Sequence, residues 1–218
     1  GRPINAAEFF EKTAGKPRGD LTETEKRYLV NKLGYLILGR INRATVVNPS
    51  ALVAAVLLSH HRRGISKANF LEVAGFLLDF AMNRGYPISV TLERALKSSI
   101  HDLVRGQEQA EKEGDPRLNT LALGRAVEPI LDEAVERFAN QGHIQAEHFQ
   151  EEEVLSLSPS SRIYLNYYRN NIIHVYQREA LVAVSLHARR NQPFIAVEQV
   201  EDDVQYLSRL FKREFIFR

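Results

Sequence analysis

The apolar run Ala51–Leu58 is the feature that most constrains the fold, because a segment that is apolar on every side needs other elements around it. Asn48 and Pro49 precede this run. Asn can cap a helix, and Pro at the first helical position loses no hydrogen bond. The run is far shorter than the ~20 residues that a membrane-spanning helix requires. We therefore predict a central, buried helix from Pro49 to about Arg63.

Helical periodicity also dominates the chain on both sides of this run. Thr22 and Glu25 have the spacing of a capping box, in which each residue satisfies a free N–H of the first helical turn. We interpret residues 105–119 as the charged, exposed end of a helix followed by a loop, and Pro159–Arg190 as one long helical stretch with a kink. The pattern predicts an all-α protein, a helical bundle of about eight helices.

The period changes from helical to alternating over one short region. His143–Phe149 and Val154–Ser158 alternate weakly between apolar and polar residues, and Glu151–Glu153 lie between them. Alternation with a period of two is typical of half-buried strands. We therefore predict one small β-hairpin near residues 143–158.

Charge is distributed unevenly along the 218 residues, although the formal net charge is only +2. Residues 1–64 contain 11 Lys and Arg against 5 Asp and Glu, a balance of +6, and residues 65–158 contain 9 against 16, a balance of −7. Residues 159–218 are again basic. The basic ends can face phosphates, an anionic membrane or a partner, or they can cover the acidic middle. The chain has no cysteine, which excludes disulfides, a thiol nucleophile and a zinc–thiolate site.

The sequence contains none of the glycine-rich phosphate loops, nucleophile elbows or helical zinc motifs that identify common active sites. Two pairs, His148 with Glu153 and His174 with Glu179, have a His-x-x-x-x-acid spacing. We interpret this spacing as chance, because a helical residue five positions further on points about 140° away. We predict no catalytic, cofactor-binding or metal-binding residue in this chain.

The most informative segment is Tyr164–His174, which combines aromatic residues with consecutive asparagines. Asn inside a helix costs propensity, because its side chain competes for backbone hydrogen bonds. A solvated stripe, amides that cap nearby loops, contact with another domain and direct substrate contact all remain open. Of these alternatives, contact with another domain would give the segment a function, as an interdomain polar network. Its members would be Tyr167, Arg169, Asn170, Asn171, His174 and Arg178.

Several segments together resemble a known family. Tyr167–His174, with the apolar Leu181–Val184 after it, closely resembles the C-terminal region of bacterial-type glycerol-3-phosphate 1-O-acyltransferases. Ile41–Val53, the ending Leu210–Phe217 and the opening Gly1–Ile4 are similar to the same family. The resemblance therefore spans essentially the whole chain.

The resemblance implies a role in phospholipid biosynthesis for the parent enzyme. Such enzymes transfer a fatty acyl group from acyl-CoA or acyl carrier protein to glycerol 3-phosphate, which makes lysophosphatidate at the membrane. The family's catalytic motifs, His-x-x-x-x-Asp, Gly-Pro-x-Gly and Phe-Pro-Glu-Gly, lie upstream of the matched region, and none occurs in this sequence. We therefore expect this segment alone to be inactive, with no cofactor.

The first residue is Gly1 and the only methionine is Met82, so we interpret the chain as a piece of a longer protein or as one that has lost a leader. The resemblance implies that residues 1–20 are the tail end of the upstream acyltransferase domain plus a linker, and that residues 21–218 are the C-terminal helical domain. The expected partners are the upstream domain of the same parent chain and an anionic membrane surface. Acyl-CoA or acyl carrier protein would bind only through the parent. The parent would lie peripherally on the cytoplasmic side of the inner membrane, and the segment itself would be soluble.

One alternative is a stand-alone helical interaction module or a winged-helix-like nucleic-acid-binding module, since a hairpin beside helices can suggest a winged-helix reader. Glu151–Glu153 in the predicted hairpin would repel phosphate, so we expect no nucleic-acid partner. An independent small-molecule enzyme is disfavoured by the missing motifs.

Overall fold

A computed structural model describes residues 4–60, 64–149, 152–158 and 160–212. The chain divides into two compact units: one contains the residues up to Ala44 and those from Gln205 onward, and the other contains Thr45–Val204. The prediction of a predominantly helical protein is confirmed. No helix among the described residues is both long enough and apolar enough to cross a membrane.

The described residues form ten α-helices, one short 3-10 helix at Arg18–Asp20 and three strands. The helices are α1 Ala6–Ala14, α2 Glu23–Ala44, α3 Pro49–Ser59, α4 Lys67–Asn83, α5 Val90–Ser98, α6 Ile100–Glu113, α7 Arg117–Asn140, α8 Ser161–Asn170, α9 Ile173–Ala188 and α10 Val197–Leu210. The strands are β1 Gly64–Ser66, β2 Ile144–Phe149 and β3 Glu152–Leu157. The predicted end of the central helix near Arg63, Glu151 of the hairpin and the predicted helix start at Pro159 lie outside the described residues.

The capping box predicted at the start of α2 is confirmed. The backbone N–H of Thr22 donates to Glu25 Oε2 at 2.8 Å, and the backbone N–H of Glu25 donates to Thr22 Oγ1 at 3.3 Å. Lys16 adds an ion pair with Glu25 at 2.8 Å. The Lys16 ammonium, followed by the hydrogen bonds from Thr22, lowers the pKa of Glu25 to about 2.

The core of the larger unit is built around α3, as the apolar run predicts. Asn48 caps this helix by accepting a hydrogen bond from the backbone N–H of Ala51 at 2.9 Å. Every residue from Ala51 to Leu58 is buried, and α4, α7 and α8 pack around the helix. A helix with no polar stripe thus lies at the centre, where no face meets water.

Two glycines allow α4 and α7 to pack very closely. A methyl group added at Gly75 would overlap the carbonyl oxygen of Thr120, and one added at Gly124 would overlap the carbonyl oxygen of Leu71. Both glycines are buried within helices. The backbones of α4 and α7 therefore come into direct contact, a packing that no residue with a Cβ atom permits without a shift.

The predicted hairpin is confirmed, and it belongs to a slightly larger sheet. β2 pairs with β3 in an antiparallel register that places Ala146 opposite Leu155. β1 adds a third antiparallel strand, so the order in the sheet is β1-β3-β2. Ile65 of β1 is opposite Leu155, and both side chains are buried. β1 was not predicted, because three residues are too few to show an alternating pattern.

Residues 105–119, predicted as an exposed helix end followed by a loop, contain more helix than expected, and the connection between the helices is short. α6 continues to Glu113, where Gly114 ends it in a left-handed conformation with φ of 67°, and α7 begins at Arg117. Most of the α6 surface is charged, but one side of the helix packs against α7. Ala110 is buried, and Gly106 lies against Ala122 of α7. The described residues contain ten helices and not about eight because two expected helical stretches are each divided, one at Ser99 and one at Asn171.

Candidate interdomain surface

The motif Tyr167–His174 lies at the junction of two helices and not inside one long helix. α8 ends at Asn170, and Asn171 closes its last turn by donating its backbone N–H to the carbonyl oxygen of Tyr168 at 3.2 Å. Ile172 then precedes α9 and is fully buried. The predicted single helical stretch is thus broken where two asparagines, which are poor residues for a helix interior, coincide with an apolar anchor.

One side of the junction packs into the larger unit. Ile172 and Val175 join a buried cluster with residues of α3 and α4. The hydroxyl of Tyr176 donates to the carbonyl oxygen of Leu77 at 3.0 Å, and burial raises the pKa of Tyr176 above its usual range. Glu179 forms an ion pair with Arg84. These contacts hold the first half of α9 against α4.

The start of α8 is held by an aromatic cluster at the end of α7. The rings of His143 and Tyr164 stack with centroids 3.8 Å apart, and the ring of Tyr168 meets Phe138 edge-on at 5.0 Å. The hydroxyls of Tyr164 and Tyr168 lie 3.2 Å apart. The hydrogen bond with Tyr164, together with burial, raises the pKa of Tyr168. Ser161, which is buried, lies within hydrogen-bond distance of His143 Nδ1 at 3.3 Å.

The opposite side of α8 is exposed and carries part of the predicted network. Tyr167 is 72% exposed, and Asn170 and Asn171 beside it are also exposed. Ile163, one helical turn before Tyr167, is 80% exposed. We call Ile163, Tyr167, Asn170 and Asn171 the outer face of α8. Sequence analysis missed Ile163, although its spacing of four residues from Tyr167 would have placed it on this face.

The remaining members of the predicted network lie elsewhere. The half-buried Arg169 donates from its terminal nitrogen to Asn170 Oδ1 at 3.1 Å, and burial lowers its pKa. Its Nε atom is buried and has no hydrogen-bond partner among the residues that the structure describes. His174 lies against the ring of Tyr86, and Arg178 is exposed on α9. The structure therefore brings Tyr167, Arg169, Asn170 and Asn171 together, while His174 belongs to the packed side.

The histidine–acid spacings in the sequence form no catalytic arrangement in the structure. His148 and Glu153 lie opposite each other on β2 and β3, and Glu179 is paired with Arg84 while His174 contacts Tyr86. The described residues contain no group of three or more His, Cys, Asp or Glu side chains that could hold a metal ion. The most distinctive arrangement of the motif among the described residues is an exposed aromatic and polar surface.

The described chain is, by its fold, a helical domain that presents an aromatic and polar outer face at a fixed helix junction. The family model described as the glycerol-3-phosphate acyltransferase C-terminal region matches residues 1–117 and 120–218. The chain therefore belongs to the family of glycerol-3-phosphate acyltransferase C-terminal regions.

Individual relatives agree with the family match. The glycerol-3-phosphate acyltransferase of Alteromonas mediterranea is 28% identical over 196 residues, which cover 87% of this chain and 20% of that protein. The enzyme of Pseudoalteromonas atlantica is 28% identical over 100% of this chain. The enzyme of Pasteurella multocida is 26% identical over 97% of this chain. The match covers 23% of each of these two proteins. The chain thus spans about a fifth of the length of the curated relatives that it matches. These comparisons do not support the alternative of a nucleic-acid-binding module.

Proposed function

We propose that this chain is the C-terminal domain of a glycerol-3-phosphate 1-O-acyltransferase and that it braces the upstream catalytic domain through the outer face of α8. The parent enzyme would transfer an acyl group from acyl-CoA or acyl carrier protein to glycerol 3-phosphate. The chain would contribute no catalytic group, and substrates would reach it only through the parent. Residues 1–20 would then be the end of the catalytic domain and its linker.

The observation that carries this proposal is the contrast between the two sides of α8. The inner side is fixed by Tyr164, Tyr168 and buried Leu165, so the helix cannot turn its exposed side inward. The outer side leaves Ile163 and Tyr167 in water, which is unfavourable for side chains with this much apolar area. A docked domain would cover both side chains and give the asparagine amides partners.

Arg169 supports the same role. Its Nε atom has lost water without gaining a partner from the described residues, and such a group costs free energy. A movement of the Arg169 side chain on docking would bring this atom to an acceptor on the upstream domain and would offset the cost. The match covers only 20% of the Alteromonas mediterranea relative. The remainder of such a protein would be large enough to contain the proposed docking partner.

The test is a pair of substitutions, Tyr167→Ala and Asn170→Ala, made together in the parent enzyme. Because both side chains are exposed, the 218-residue chain should fold and melt unchanged, while acyl transfer by the parent should fall roughly tenfold or more. Tyr206→Ala is a matched control, since Tyr206 is 66% exposed on α10 and lies outside the motif. Unchanged activity of the double variant would reject the docking role.

A second part of the proposal concerns the membrane, and α2 supports it. From Lys26 to Ala44 this helix contains basic side chains and no acidic one. Six of its large apolar side chains are exposed: Tyr28, Val30, Tyr35, Ile37, Leu38 and Ile41. Exposed apolar and tyrosine side chains next to cations are the chemistry of an interfacial segment on an anionic bilayer. The parent would then lie peripherally on the cytoplasmic side of the inner membrane.

Sedimentation with anionic vesicles at low salt tests this second part. Substitution of Lys32 by Glu should reduce the bound fraction, because each cation near an anionic surface contributes about 1 kcal/mol. Lys97→Glu on α5 is the control, since Lys97 is also an exposed lysine and lies outside α2. Absence of binding by the unmodified chain would end the proposal for α2.

A further inference from the structure

Helix α8 and the segments on both sides of it contain no acidic residue. The nearest Asp or Glu residues in the chain are Glu153 before the helix and Glu179 after it, whereas Arg162 and Arg169 lie on α8 itself. The two arginines are seven positions apart, and seven positions of an α-helix make almost two full turns. Both therefore lie along the same side of α8, about 10 Å apart along its axis. We call this pair the arginine edge of α8.

The arginine edge has no negative partner among the residues that the structure describes. Arg84 and Arg189 each form an ion pair with a carboxylate, but Arg162 and Arg169 form none within the described ranges. Arg162 is exposed, and Arg169 is half-buried, so that burial lowers its pKa. A cation that has lost water without gaining a negative partner is unfavourable. An opposing carboxylate would therefore stabilise this edge.

The neighbouring amide also offers hydrogen-bond donors. Asn170 borders the arginine edge, and its Oδ1 atom accepts a hydrogen bond from Arg169 at 3.1 Å. Its amide nitrogen donates to no other side chain or backbone group in the described part of the chain. An amide nitrogen and a guanidinium group are donors only. The complementary group is an acceptor with a negative charge, which on a protein surface is the carboxylate of Asp or Glu.

The composition of α8 favours a protein over a phosphate group as the source of this negative charge. The exposed side chains beside the arginine edge are Ile163 and Tyr167, and α8 contains no lysine. Tyrosine and arginine are enriched and lysine is depleted where proteins contact each other. Surfaces that meet many phosphates usually carry lysine as well as arginine. The arginine edge therefore fits an acidic protein surface best.

We propose that the arginine edge of α8 binds carboxylate side chains of the upstream acyltransferase domain. In the docked state Arg169 forms an ion pair close to Tyr167 and Asn170, and Arg162 forms a second ion pair nearer to solvent. This inference rests on the docking role proposed for α8 and deepens it, because it names the chemistry of the partner surface.

A zero-length cross-link tests this contact in the parent enzyme. A carbodiimide joins a lysine amine to a carboxylate only where the two groups touch, so Arg169→Lys and Arg162→Lys turn the edge into a reporter. We expect a cross-linked peptide between at least one of these positions and an Asp or Glu of the upstream domain. Arg105→Lys on α6 is the matched control and should give no such peptide, since Arg105 is exposed outside α8.

Two results of the cross-linking experiment would overturn the inference. One is the absence of a cross-link to the upstream domain from both Arg169→Lys and Arg162→Lys. The other is a cross-link from these positions only to carboxylates within residues 21–218, because the negative partner would then belong to this domain or to a second copy of it.

Activity measurements on the parent show how much each arginine contributes. Arg169→Met should lower acyl transfer roughly tenfold or more, because it removes one member of an ion pair that docking buries. Arg169→Lys should recover part of this loss, since it keeps the charge. Arg162→Met should lower acyl transfer only about twofold, because exposed ion pairs contribute little. High salt should weaken the effect of Arg162→Met, and Arg105→Met should leave activity unchanged.

The variant that combines Tyr167→Ala with Asn170→Ala separates this inference from the docking role itself. If that variant lowers acyl transfer and Arg169→Met does not, α8 docks without the arginine edge and the inference is rejected. If neither variant lowers it, the docking role and the inference both fail. If Arg169→Met raises the KM for glycerol 3-phosphate or the acyl donor and no cross-link forms, the edge binds a substrate phosphate and the inference is also rejected.

Discussion

Helices α2 and α3 follow each other in the chain, and both are rich in apolar residues, yet they differ sharply in burial. α3 buries every residue from Ala51 to Leu58 inside the larger unit. α2 is twice as long, and Leu29 and Gly39 are its buried residues. Apolar periodicity therefore indicates that one face of a helix will be buried if a partner is present. It does not indicate whether another element of the same chain is that partner. The exposed apolar side chains of α2 are the ones on which the proposed membrane contact depends.

The largest expected effect is a difference in unfolding free energy between an alanine substitution in α3 and one in α2. Leu52→Ala in α3 should lower the free energy of unfolding by about 2–5 kcal/mol, because it leaves a cavity in a fully buried site. Leu38→Ala on α2 should change it by less than about 0.5 kcal/mol, since that side chain already meets water. Urea unfolding followed by circular dichroism measures both values. Equal losses would show that the contrast between the helices does not hold in solution.

Glycine-to-alanine substitutions should change stability in opposite directions. Gly124→Ala places a methyl group against the backbone of Leu71, and we expect a loss of about 1–3 kcal/mol. Gly34 of α2 has open space around the same position, so Gly34→Ala should stabilise its helix by about 0.5–1 kcal/mol. Melting temperatures of the two variants test the signs. A stabilising Gly124→Ala would contradict the close packing of α4 and α7.

Loss of the α3 cap should destabilise the whole larger unit, whereas loss of the α2 cap should affect only α2. Asn48→Ala removes the cap of the central helix and should cost about 1 kcal/mol in the unfolding of the larger unit. Thr22→Ala should reduce helicity in α2 while that transition stays in place, because partly exposed elements open locally. Amide hydrogen exchange distinguishes the two cases, and Asn48→Asp, which preserves the cap, is the control.

The smallest effect is a difference in pH dependence between the same caps. The pKa of Glu25 is lowered in the fold from 4.5 to about 2, so its ionised form stabilises α2 fully above its ordinary pKa. That contribution should decline as the pH falls from about 4.5 towards 2. Asn48 does not titrate, so the cap of α3 should persist over this range.

A carboxyl-carbon NMR titration measures this pKa directly. Lys16→Met removes the largest cause of the shift and should raise the pKa of Glu25, whereas Lys26→Met, which removes the partner of Glu23, should leave it near 2. A Glu25 pKa near its ordinary value in the unmodified chain would show that the capping box is not formed.

Local sequence signals predicted much of the fold. The caps at Thr22 and Asn48, the buried helix between Ala51 and Leu58 and the hairpin near residues 143–158 all depend on residues close together in the chain. The family resemblance was likewise predicted from short motifs, and the family match confirms it. Interactions over a few residues are sufficient for such features, because capping and periodicity are local.

The candidate site was only partly predictable. The sequence identified the motif Tyr167–His174, but it did not show that the chain breaks at Asn171 or that His174 lies against Tyr86. The break depends on where Ile172 finds a buried position against α3 and α4, which are distant in sequence. No local pattern contains that information.

By itself, the sequence determined where α2 and α3 begin, which segment had to be central and to which family the chain belongs. The tertiary structure alone decided that Gly64–Ser66 joins the hairpin as a strand, that residues 105–119 are mostly helical and that α2 stays exposed. The physical reason is that hydrogen-bonded caps form between near neighbours, whereas burial is set by whichever distant element packs against a face.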